Sequence, residues 1–181
     1  MSVLSCGAAF KLVQVSIRER LSVVFLISSL MPSIVLAQPT GRAWERHTID
    51  ASSRGADGVR MKDVNGDGRL DIATGWEEGG VIRVYLHPGR KKVRGRWPAV
   101  TVGRVNSPED AVFVDCDGDG ALDVVSSCEG RTRSMYVHWA PNLPEHYLDA
   151  SKWKTQAITD VQGKQPWMFA LGMQVDHRHG I

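Results

Sequence analysis

The nine residues Asp63-Val64-Asn65-Gly66-Asp67-Gly68-Arg69-Leu70-Asp71 return almost unchanged as Asp115-Cys116-Asp117-Gly118-Asp119-Gly120-Ala121-Leu122-Asp123. Each copy sets oxygen-bearing side chains at loop positions one, three, five and nine, with glycine at position six. Glycine enters the left-handed backbone region without steric penalty, so the chain can reverse there and turn the oxygens inward. Hard oxygen ligands at alternate positions of a tight loop are the pattern that Ca²⁺ requires. Without a cation, so many carboxylates in nine residues repel one another. One such loop is a moderate signal. Two at matching places constrain the whole chain, because they make it a repeat.

The repeat extends beyond the loops. Trp44-Glu45-Arg46-His47-Thr48-Ile49 is echoed by Trp97-Pro98-Ala99-Val100-Thr101-Val102 and again by Trp153-Lys154-Thr155-Gln156-Ala157-Ile158. Short apolar segments follow at Val59–Lys62, Ala111–Val114 and Trp167–Leu171. After the loops come Leu70–Thr74 and Leu122–Ser126, then Val81–Leu86 and Met135–Trp139. Alternation with branched and aromatic residues is the mark of strands. Turn chemistry closes these segments at His87-Pro88-Gly89 and Ala140-Pro141-Asn142. One unit therefore reads strand, strand, loop, strand, strand, and four short strands at this period fit a propeller blade. The predicted fold is all-β, a partial β-propeller of four-stranded antiparallel blades with two full repeats and an incomplete third. The units run over about 44–96, 97–152 and 153–181 within a repeat region 38–181. Asp149–Lys152 is read as a single helical turn. A closed propeller needs at least four blades, so the chain reads as part of a longer protein with further blades downstream, or else as an open array.

Ahead of the repeats, Arg18 and Arg20 precede the apolar run Leu21–Leu30, and the stretch ends in Val35-Leu36-Ala37. Basic residues, a short apolar core and a small-residue exit describe a secretory signal peptide over 1–37, with an uncleaved anchor as the alternative. The run is too short and serine-rich to span a membrane comfortably, and no span is expected in the mature chain. The reading places the protein outside the cytoplasm: secreted, periplasmic or at the cell surface. Removing Lys11, Arg18 and Arg20 together with Glu19 makes the basic and acidic counts equal. With no basic block beyond the short patch Arg90–Arg96, nothing points to nucleic acid. Of the two remaining cysteines, Cys116 falls in a loop and Cys128 at the far end of the outgoing strand. That separation exceeds the roughly 7 Å Cα reach of a disulfide, so free thiols are expected, or pairing with another chain.

The two aspartate loops, each running into an apolar strand, resemble the FG-GAP/VCBS-type repeat of secreted bacterial proteins, and integrin α-subunit propellers carry related loops. The Phe-Gly and Gly-Ala-Pro signatures are absent, so the resemblance rests on the loop and the period. It implies structural Ca²⁺ at two sites. The ligands would be Asp63, Asn65, Asp67 and Asp71 with the carbonyl of Arg69, and Asp115, Asp117, Asp119 and Asp123 with the carbonyl of Ala121. Asp176 begins a third loop, but His177, Arg178 and His179 fill its inner positions, and no site is expected there. An EF-hand is excluded because position twelve, which must be a bidentate acid, is Thr74 in one loop and Ser126 in the other.

Catalysis finds little support in the sequence. His47, His87, His138 and His146 are scattered, and no serine sits in a Gly-x-Ser-x-Gly elbow. The expected function is a calcium-binding extracellular repeat protein with a structural, adhesive or ligand-binding role toward a protein or glycan, and no catalysis of its own. The alternative is the N-terminal part of a propeller enzyme, a lyase or hydrolase, whose active site lies in other blades.

Overall fold

A computed structural model describes Gly41 and residues 43–173. The signal-peptide segment 1–37 and the third-loop residues Asp176, His177 and His179 lie outside the described residues. The chain divides into Met1–Trp44 and Glu45–Ile181, and every described strand belongs to the second unit.

Two antiparallel sheets of four strands each make up this unit. The first is β1 (Ala56–Lys62), β2 (Asp71–Trp76), β3 (Val81–Tyr85) and β4 (Ala99–Arg104), hydrogen-bonded in that order. The second is β5 (Pro108–Val114), β6 (Asp123–Cys128), β7 (Ser134–Trp139) and β8 (Lys154–Ala157), again in order. Such meanders arise because each strand is short, apolar on alternate residues and bounded by a turn. No α-helix occurs among the described residues, only 3₁₀ turns at Pro144–His146, Ala150–Lys152 and Thr159–Val161. The second is the helical turn expected at Asp149–Lys152, with Asp149 accepting from the Ser151 backbone N–H at 2.9 Å. The all-β expectation holds, and each sheet is built like a propeller blade.

The strand phase differs from the sequence units. The tryptophan-led segments were expected to open the units at Trp97 and Trp153. Instead β4 closes the first sheet and β8 closes the second. Trp44 to Thr48 forms no strand, nor do Trp167–Leu171. A sequence repeat has no inherent start, and only pairing decides which sheet an edge strand joins. Both tryptophans anchor edges: the Trp97 indole N–H donates to the Val93 carbonyl at 2.9 Å, and that of Trp153 to the Tyr147 carbonyl at 3.0 Å.

The core lies between the sheets. It gathers Ala73, Ile82, Val84, Val100 and Val102 from the first sheet with Ala111, Phe113, Val124 and Cys128 from the second. The repeat makes the packing asymmetry plain. Ala111 and Phe113 are buried, at 0% and 4% exposure, whereas Val59 and Met61, at the same places in β1, stand 57% and 62% exposed. The outer face of the first sheet is covered by a smaller cluster of Trp76, Val81, Tyr85 and Trp97 with Ile49 and Val93. There Asp50 accepts from the Tyr85 hydroxyl at 2.9 Å and pairs with Arg83, tying the segment before β1 to the sheet.

Two contacts fix how the sheets meet. Arg60 of β1 grips the fully buried Asp110 of β5 with Nη2 at 2.6 Å and Nε at 3.1 Å. Gly103 of β4 faces His138 of β7, and a Cβ there would overlap the imidazole ring.

Candidate metal centre

Each aspartate loop is the connection inside a hairpin, β1 to β2 or β5 to β6. The first-position aspartate organises it. Asp63 Oδ1 accepts from the N–H groups of Gly66 and Asp67 at 2.9 and 3.1 Å, and Oδ2 from Gly68 at 2.8 Å. Asp115 does the same through Gly118 at 2.7 Å and Gly120 at 3.0 Å. Gly66 and Gly118 take φ of 74° and 80°, the left-handed turn read from the sequence. The third and fifth positions make further Asx turns. Asn65 and Asp117 accept from Asp67 and Asp119 at 3.0 and 3.2 Å, and Asp67 and Asp119 from Arg69 and Ala121 at 2.9 and 2.8 Å.

The ninth position has a second task. Asp71 Oδ2 accepts from Val64 N–H at 3.0 Å and Oδ1 from His87 N–H at 2.7 Å. Asp123 repeats this with Cys116 at 3.1 Å and Ala140 at 2.8 Å. Each carboxylate thus clasps the loop's start to the exit of the third strand. Burial pushes the carboxyl groups of Asp71 and Asp123 above their ordinary range against these hydrogen bonds, and the neighbouring loop aspartates add to the rise.

The loops differ in how their carboxylates converge. Oxygens of Asp115, Asp117 and Asp123 lie within 4.8 Å of one another. The first loop carries Asn65 in place of Asp117, and no such carboxylate triple forms there among the described residues. Its acid at position five is also engaged: Arg69 Nη1 stands 2.9 Å from Asp67 Oδ2. Ala121 at the matching place brings no competing charge. The donor set of the second loop is all oxygen, and each accepting carboxylate oxygen keeps a lone pair, so the residues present fit Ca²⁺. The same loop borders an open groove of about 720 Å³ lined by Asp117, Asp119, Trp139, His146, Lys152 and Lys154.

Cys116 sits exposed in the second loop and Cys128 buried at the far end of β6, both as free thiols. One polar constellation escaped the sequence reading. Ser126 Oγ stands 2.9 Å from His138 Nε2, and His138 Nδ1 2.9 Å from Thr155 Oγ1. Spacing could have hinted at it, since residues on adjacent strands of one sheet face meet in pairs. It resembles a nucleophile and base, but Ser126 and His138 are both fully buried and no substrate reaches them. Burial drops the His138 pKa to about 4, so the ring is neutral and serves the packing between sheets.

No curated protein and no solved structure matches the chain. Residues 63–126, which contain both loops, match the family model described as FG-GAP-like repeat. With two blade-like sheets built around those loops, residues 63–126 are similar to an FG-GAP-like repeat.

Proposed function

We propose that this is a secreted, Ca²⁺-binding FG-GAP repeat protein whose ions hold the blade hairpins closed. Its role is then structural, adhesive or ligand-binding rather than catalytic. The observation that carries the reading is the convergence of Asp115, Asp117 and Asp123 within 4.8 Å at the head of the β5–β6 hairpin. Three carboxylates at that separation repel strongly in a partly desolvated loop, and a divalent cation relieves the repulsion. The repeat type is typical of extracellular proteins, where Ca²⁺ is abundant, and this agrees with the signal-peptide reading. Among the described residues no helix is long and apolar enough to cross a membrane. The groove beside the second loop supports a ligand role, because it brings Trp139 and two lysines up to the ion site and suits an extracellular protein segment or glycan.

Calorimetric Ca²⁺ titration tests this. Each aspartate loop binds one ion in the full-length protein, the second loop more tightly than the first. Asp117→Ala weakens the tighter event at least tenfold, while Lys91→Ala leaves both unchanged. Equal titrations for Asp117→Ala and the unaltered protein would overturn the assignment.

A further inference from the structure

The end of the hairpins opposite the aspartate loops holds a second acidic cluster. Glu77 begins the β2–β3 turn, and Glu129 holds the same repeat position in the β6–β7 turn. Both are anchored alike: the backbone N–H of Glu77 donates to the Gly55 carbonyl at 2.6 Å, and that of Glu129 to the Ser107 carbonyl at 3.2 Å. Glu109, at the start of β5, joins them, and one carboxylate oxygen from each residue lies within 4.8 Å of the others.

Acids crowd many surfaces without consequence, but Glu109 is not a surface residue. It is 9% exposed, and its Oε1 is sealed from solvent without a hydrogen-bond partner. Leaving a buried carboxylate oxygen unsatisfied is costly, so such a side chain beside two further carboxylates points to a missing positive partner. None of the three forms an ion pair among the described residues, whereas Arg54, Arg60 and Arg83 pair with Glu78, Asp110 and Asp50. Burial first, then the charges of Glu129, Glu77 and Asp57, and last a side-chain hydrogen bond with Glu129, push the Glu109 carboxyl up to about 7.

We propose that Glu77, Glu109 and Glu129 form a third cation site, distinct from the two loops, that binds a hard divalent ion of the Mg²⁺, Mn²⁺ and Ca²⁺ class between the sheets. Three carboxylates and no nitrogen or sulfur donor select oxygen-seeking ions, with water filling the positions that face solvent beside the exposed Glu77. One ligand comes from the first sheet and two from the second, so the ion joins neighbouring blades, whereas the loop ions each close a single hairpin.

Counting bound Mn²⁺ by the electron paramagnetic resonance of the free ion tests the site on the full-length protein. Glu109→Gln, which keeps the shape of the side chain, binds one ion fewer than the unaltered protein. Glu77→Gln, an exposed change that leaves folding intact, weakens one binding event at least tenfold. Asp63→Ala combined with Asp115→Ala retains the ion that Glu109→Gln loses. The proposal is overturned if Glu109→Gln and Glu77→Gln bind the same number of ions as the unaltered protein with unchanged affinity. Should the aspartate loops take no Mn²⁺ at all, the unaltered protein binds one ion and Glu109→Gln none. That result sustains the inter-sheet site while removing the loop assignment.

Discussion

His138 shows how one residue can look catalytic and be structural. Its ring lies between Ser126 and Thr155 and against Gly103 of the neighbouring sheet, with no exposure. Its pKa falls from 6.5 to about 4, so the folded protein binds fewer protons than the unfolded chain across that window. The contribution is fully present above about 6.5 and is lost as the pH falls toward 4, a change of roughly 3 kcal/mol. Melting curves at pH 7.5 and 4.5 check this: His138→Gln should narrow the gap between the two melts, and an equal gap would contradict the neutral buried ring. Gly103→Ala belongs to the same contact. The added methyl overlaps the imidazole and should cost about 1–3 kcal/mol, read as a lowered denaturant midpoint.

At the scale of elements, the two sheets are one design used twice, and the differences between them report on packing. Phe113 and Met61 occupy matching positions of β5 and β1, yet only Phe113 is covered. Phe113→Ala should therefore destabilise by about 3–5 kcal/mol, while Met61→Ala stays within about 0.5 kcal/mol. Comparable losses for both would mean that the outer face of β1 is covered in solution. Breaking the Arg60–Asp110 pair belongs here too. Asp110→Ala strands a half-buried guanidinium between sheets and should cost about 3–5 kcal/mol in chemical denaturation. Most of the elements were legible in the sequence because each strand carries its own alternation and each loop its own glycine. Their grouping was not. Trp97 and Trp153 mark strand edges, but nothing local says whether an edge strand ends one sheet or begins the next. Asp110 was equally opaque, because its partner Arg60 lies fifty residues earlier in the chain.

Across the whole molecule, the aspartate loops were the most legible feature, because glycine at position six and acids at alternate positions specify both the turn and the ligand chemistry. The sequence did not distinguish the two loops, although the structure does. Arg69 draws Asp67 aside, and Asn65 denies the first loop the carboxylate triple of the second. The ninth-position clasps were hidden as well, because Asp71 and Asp123 reach backbone groups at His87 and Ala140, sixteen or more residues away. These clasps explain why an ion at the loop matters to the fold: it neutralises the crowded acids at the point where three strands of a sheet are tied. A ligand that binds only the folded form stabilises it by about 2.7 kcal/mol at a hundredfold excess over Kd. The direct measurement is the thermal melt of the full-length protein in excess Ca²⁺ and in excess chelator. The melting temperature should rise by several degrees in Ca²⁺, and Asp63→Ala combined with Asp115→Ala should abolish most of that rise. Superimposable melts of the unaltered protein in Ca²⁺ and in chelator would contradict the central claim.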